Sequence, residues 1–238
     1  MRSKVALTLV CLATCGVLLP HAASAATITI DAYSRGAYRG DSGGFGTGLS
    51  GTASGSFLTG EQTSLGTPTE YRSFFLFDLA GVTGSIVSAT FEASAGAQTS
   101  NESISLFDIS TSLASIAGGT AGAAGFADLG SGVTYASRLF TGAEPFFAPV
   151  TSLTLNGAAI SALQSGGLFG FGGALTTISG TSDQFVFGNT FEHYVSRLRL
   201  QTQDASTPAV PEPASMLLLG TGLIGAGVRR YRHNRSRG

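Results

Sequence analysis

Eight short β-prone runs, each closed off by small or turn-forming residues, limit what this chain can fold into more than any other feature. They read TITIDAY (27–33), YRSFFLFDL (71–79), SIVSATFEASA (85–95), SISLFDI (103–109), VTYASRLF (133–140), VTSLTL (150–155), QFVFG (184–188) and YVSRLRLQT (194–202). Each is of strand length, and the last sets Val195, Leu198 and Leu200 against Arg197 and Arg199, a strand-like alternation. Such runs favour an all-β antiparallel sandwich or barrel over a βαβ fold. No short-period repeat is present, which argues against a solenoid. One segment, NGAAISALQSGG (156–167), reads differently. Asn156 suits a helix N-cap, Ile160 and Leu163 share a face, and Gly166 or Gly167 can end the turn. The pattern predicts one short helix crossing one end of the sandwich.

The N-terminus is separate from this body. MRSKVALTLVCLATCGVLLPHAASA opens on Arg2 and Lys4, continues as an apolar run from Val5 to Leu19, and closes on small residues. Ala23 and Ala25 supply the small-x-small pattern of a signal-peptidase site, so residues 1–25 read as a signal-peptide helix cut after Ala25. The partners this implies are the Sec translocon and signal peptidase. Leu12-Ala13-Thr14-Cys15 approximates a lipoprotein signal but places Thr where Gly, Ala or Ser is wanted. Cys11 and Cys15 both leave with the signal, so the mature chain is expected to have neither a disulfide nor thiol chemistry.

Charge is segregated along the chain. All fourteen acids lie between Asp31 and Glu212, where six arginines and no lysine accompany them, a net charge of -8 over that stretch. A phosphate backbone would be repelled, so nucleic acid is not an expected partner. No catalytic set is legible. His193, beside Glu192, is the only histidine between the two terminal segments, and any carboxylate pair would be arbitrary. The glycine-rich stretch 39–56 has neither a lysine nor a following helix pattern, so it reads as a surface loop rather than a phosphate cradle. Asp31, Asp41 and Asp183 are loose candidates for calcium without a D-x-D-x-D run, and solvated loop acids are the preferred reading. No metal and no cofactor is expected. Trp is absent, which leaves Tyr33, Tyr38, Tyr71, Tyr135 and Tyr194 as the rings able to stack on a sugar.

The C-terminus carries the most specific pattern. Val210-Pro211-Glu212-Pro213 precedes an apolar run, Ala214–Val228, and then Arg229, Arg230 and Arg232. Fifteen residues of helix span roughly 23 Å, short of a ~30 Å hydrocarbon core. Pro213 suits a helix start, and the arginines can snorkel and hold the end in the cytoplasm. Gly220, Gly222, Gly225 and Gly227 weaken the helix. The stretch reads as a short transmembrane helix in transient contact with the membrane, and a plain C-terminal anchor is the second reading.

These residues resemble the PEP-CTERM sorting signal of Gram-negative bacteria. The resemblance implies that an exosortase recognises Pro211, Glu212 and Pro213 and processes the chain near them, with Arg229, Arg230 and Arg232 as the cytoplasmic basic stop. It also implies an exported protein of the envelope, outer surface or exopolysaccharide matrix of a biofilm former. Within the body, RSFFLFDLAGVTGSIVSATFEAS (72–94) resembles the corresponding stretch of DNRLRE-type, carbohydrate-binding-like jelly rolls. That resemblance implies a jelly-roll fold and carries over no binding residue. The expected organisation is a signal peptide at 1–25, a β-sandwich at 26–204, a linker at 205–209 and the sorting signal at 210–238, its helix at 214–228. The expected role is non-enzymatic. A module binding matrix polysaccharide is the alternative, and a glycan-acting hydrolase ranks last.

Overall fold

All eight runs form strands. The computed structural model describes residues 25–41, 57–64, 66–94, 101–141, 150–187 and 195–203. In chain order the strands are β1 (Ala25–Asp31), β2 (Ser34–Arg39), β3 (Thr59–Gln62), β4 (Thr69–Asp78), β5 (Ser85–Ala93), β6 (Glu102–Asp108), β7 (Thr134–Phe140), β8 (Thr151–Thr154), β9 (Leu168–Leu175), β10 (Gln184–Phe187) and β11 (Ser196–Gln203). Three of these, β2, β3 and β9, lie outside the eight runs. Ala25–Gln203 makes one compact unit.

Two antiparallel sheets carry the fold. One has the order β1-β11-β5-β8, and the other contains β4-β9-β6-β7 in sequence. The last strand, β11, returns to lie beside the first, and β9 returns beside β4. Eight strands in two sheets with such returns make a jelly roll, the fold the 72–94 resemblance implies. The remaining strands extend the second sheet. Tyr71 of β4 is paired to both Arg39 of β2 and Gly60 of β3, and Ser73 to both Ala37 of β2 and Gly173 of β9. A residue has only two edges, so β3 and β9 follow one another along the edge of β4 opposite β2. Strand β10 then pairs with β3.

Phenylalanine fills the space between the sheets. Phe75, Phe77, Phe91, Phe169, Phe171 and Phe187 are buried there with Leu198 and Leu200 from β11. Phe171 sits 4.8 Å from Phe91 and 5.6 Å from Phe75, centroid to centroid, within the range of favourable aromatic pairs. Strand β11 buries Ser196, Leu198, Leu200 and Thr202 and turns the residues between them outward. Val195 precedes the strand, outside the expected alternation, because the buried positions are the even ones.

The run FFLF of β4 is apolar at every position because both its faces are covered. Phe75 and Phe77 enter the main core, whereas Phe74 and Leu76 join Tyr38, Ile116 and Leu129 in a second cluster. Ile116 belongs to helix α1 (Leu113–Ala117), and Leu129 caps helix α2 (Gly122–Asp128). One helix was expected, and the described residues contain three. Sequence offered little for α1 and α2, since neither N-cap residue, Ser112 or Ala121, makes a side-chain capping bond. Tertiary contacts hold them instead. The Tyr38 hydroxyl donates to the Ser115 and Ile116 carbonyls at 3.1 and 3.0 Å. Arg72 donates to the Phe126 and Ala127 carbonyls and lies 4.2 Å over the Phe126 ring.

Helix α3 (Gly157–Leu163) is the predicted one. Asn156 accepts from the Ala158 and Ala159 amides at 3.0 and 3.1 Å and donates through Nδ2 to the Thr134 carbonyl. The cap therefore also ties the helix to β7. Gly166 and Gly167 follow with φ of 68° and 72°, the left-handed backbone in which glycine stops a helix.

Candidate functional site

The two ends of the folded unit meet on one sheet. Strand β1 pairs with β11 without a register shift, from Ala25 opposite Gln203 to Asp31 opposite Arg197. Strand β11 lies between β1 and β5, so the final strand is an interior one. Along this outer surface Arg197 Nε donates to Glu92 Oε2 at 2.7 Å, and Arg199 Nη1 reaches Glu92 Oε1 at 3.4 Å. Glu92 is buried between its cross-strand neighbours, which fixes β11 against β5.

Ala25, the last residue before the predicted cut, is the first residue of β1. Ala23, Pro211, Glu212, Pro213, Arg229, Arg230 and Arg232 lie outside the described residues. Seven residues separate Gln203 from Pro211, a stretch that can reach at most about 29 Å when fully extended. Among the described residues, no helix is long and apolar enough to cross a membrane, and the predicted span 214–228 lies outside them.

Several described carboxylates of the body are engaged as hydrogen-bond acceptors. Asp183 Oδ1 accepts from the Thr63 amide at 2.7 Å, the Thr63 hydroxyl at 2.9 Å and the Ser64 amide at 2.9 Å. The bond from the Thr63 backbone, with its neighbours, holds this carboxyl below its ordinary value. Asp128 makes a similar clasp on the Ser110 amide and hydroxyl and the Thr111 amide. Burial pushes the Asp128 carboxyl up, but the hydrogen bonds from Ser110 and Thr111 together outweigh it and hold it low. Asp41 pairs with Arg39. Asp31 closes β1 opposite Arg197. Among the described residues, no three His, Cys, Asp or Glu side chains converge as a metal-binding group.

Besides Glu92, two further buried carboxylates, Glu61 and Glu102, were not singled out in the sequence. Gln184 donates through Nε2 to both oxygens of Glu102, at 3.0 and 2.9 Å, and to the Thr177 carbonyl. The Thr177 hydroxyl also donates to Glu102. Glu61 accepts from the Gly180 amide at 2.8 Å, and Gln184 Oε1 accepts from the Ser179 amide. This network joins β10 to β3 and β6 through neutral donors to acidic acceptors. Its members come from three distant parts of the chain, so no local motif could announce it.

The tyrosines divide unevenly. Tyr38, Tyr71 and Tyr135 are buried, Tyr135 stacking on Phe169, whereas Tyr33 is 42% exposed. Tyr194, like Glu192 and His193, lies outside the described residues. Of the five rings considered for sugar stacking, Tyr33 is the one that the described surface presents.

Residues 209–232 match the PEP-CTERM protein-sorting motif. The match takes in Pro211, Glu212 and Pro213, the apolar run and Arg229, Arg230 and Arg232. It marks an exported protein that an exosortase sorts to the cell envelope or surface. No curated protein matches the chain.

Proposed function

We propose that the mature chain is a non-enzymatic structural or interaction protein of the envelope or exopolysaccharide matrix. The Sec translocon exports it, signal peptidase cuts after Ala25, and an exosortase processes it at Pro211-Glu212-Pro213 while residues 214–228 cross the membrane transiently. The motif at 209–232 is the observation that carries this reading. Two features of the body support the non-enzymatic part. Most of its described carboxylates hold backbone amides, guanidinium groups or Gln184, and most of its described aromatic rings fill the core. Among the described residues of the β1-β11-β5-β8 sheet, Thr27, Thr29, Val87, Ser152, Arg199 and Gln201 are exposed.

Mass spectrometry of the chain recovered from its host tests the sorting step. The expected product begins at Ala26 and lacks the arginine-rich end. A chain that keeps Arg229 to Gly238 in the membrane would establish a plain anchor instead. For the role of the body, an array of acidic and neutral polysaccharides is expected to give no specific binding. Saturable binding to one of them would make the protein a polysaccharide-binding module, and turnover of one would make it a hydrolase.

A further inference from the structure

Strand β1 is a sheet edge of an uncommon kind. It runs seven residues, AATITID, with no proline, no lysine and no register shift against β11. Natural edge strands are usually short, bulged, charged or covered, because an open row of backbone donors and acceptors invites another strand. Among the described residues only β11 pairs with β1. Thr27, Thr29 and Asp31 are exposed on its outer face, and Ile28 and Ile30 are only half-buried on the core side.

We propose that β1 is a self-recognition edge, pairing antiparallel with β1 of a second copy across a two-fold axis at Ile28. The segment is complementary to itself in that register. Thr27 falls opposite the partner's Thr29, Ile28 opposite the partner's Ile28, and Ile30 opposite the partner's Ala26. Opposed residues share a face, so threonine meets threonine outside while isoleucine meets isoleucine and alanine inside. The pairing covers the half-buried isoleucines that the monomer leaves at its rim. Charge agrees as well. After the cut following Ala25, the ammonium of Ala26 lies beside the partner's Asp31, an acid–base pair repeated at each end of the joined strands. Two four-stranded sheets become one of eight, an isologous interface that closes on itself. The uncut signal peptide continues directly from β1, so removal of residues 1–25 creates the ammonium that completes the pairing.

Given the proposed cut after Ala25, the exported chain has no cysteine, because the two in the sequence are Cys11 and Cys15. Site-specific crosslinking of the full exported chain therefore reads the register directly. Chains carrying Thr27→Cys are mixed with chains carrying Thr29→Cys under mild oxidation, both substitutions being at exposed positions. The mixture is expected to give several-fold more disulfide-linked dimer than either variant alone, and several-fold more than a Ser152→Cys control on β8. Equal crosslinking in all four samples, or none in the mixture, overturns the proposal. Thr27→Lys with Thr29→Lys provides an independent readout by sedimentation. The expected result is loss of the dimer with an unchanged circular dichroism spectrum and melting curve, and a dimer that survives the lysines refutes it.

Discussion

Replacing Gly172 with alanine tests how closely the helical layer sits on the second sheet. Gly172 lies on β9 between Phe171, which faces the main core, and Gly173. A Cβ there would come within 2.5 Å of both the Leu129 Cα and the Leu129 carbonyl oxygen, at the end of α2. Ordinary contact begins near 3.4 Å, so strand and helix end must separate by about 1 Å. Both sides are backbone, and no side chain can rotate away. Overpacking of this kind costs about 3 kcal/mol, the upper end of the usual range. The backbone at Gly172 is not left-handed, so alanine recovers up to about 1 kcal/mol from a less disordered unfolded chain. A net loss of about 2 kcal/mol follows, or roughly 4–8 °C in Tm for a unit of this size. Gly157→Ala is the matched control. Nothing lies within 4 Å of its added Cβ, it opens α3, and it should gain about 0.5 kcal/mol. Urea unfolding of both variants decides the matter. A Gly172→Ala protein as stable as the parent would show that α2 does not rest on β9 at this distance, and the account of the second cluster would fall with it.

Other predictions follow the same contacts. Phe171→Ala removes a ring packed on Phe75, Phe77 and Phe91 and should cost about 4 kcal/mol by denaturant titration. Asn156→Ala loses two capping bonds and the tie to Thr134, about 2 kcal/mol, and amide exchange at Ala158 and Ala159 should accelerate. The folded Asp183 carboxyl titrates below its unfolded value, so its stabilisation is complete above about pH 4 and disappears as pH falls through the lower folded value. Exchange at the Thr63 and Ser64 amides should therefore rise on acidification, and Asp183→Asn should flatten that dependence. Glu212→Ala should leave the C-terminal segment uncut, detected as an unprocessed mass in the host membrane.

The structure separates what local pattern can reveal from what only packing decides. Alternation and turn residues are local, so eight strands and the Asn156 cap were readable before any contact was known. The C-terminal signal was readable for the same reason, because order, spacing and charge along one continuous stretch define it. Strand β9 was not. LFGFGGAL lies outside the eight β-prone runs, and its burial depends on Gly170 and Gly172 lying against Leu113 and Leu129 while its phenylalanines face the core. Strand β2, SRGAYR, is likewise buried because α1 and α2 cover its Tyr38 face and Phe57 and Ser196 meet Arg35 on the other, although neither its charge nor its glycine signals a buried strand. The acid clasps joining Asp183 to Thr63 and Glu102 to Gln184 bridge residues 120 and 82 positions apart, a separation at which no motif operates. The sequence by itself determined the all-β class and the sorting signal at the C-terminal end. Tertiary structure alone placed Ala25 opposite Gln203, because strand pairing is a contact between distant residues and depends on the whole sheet being built.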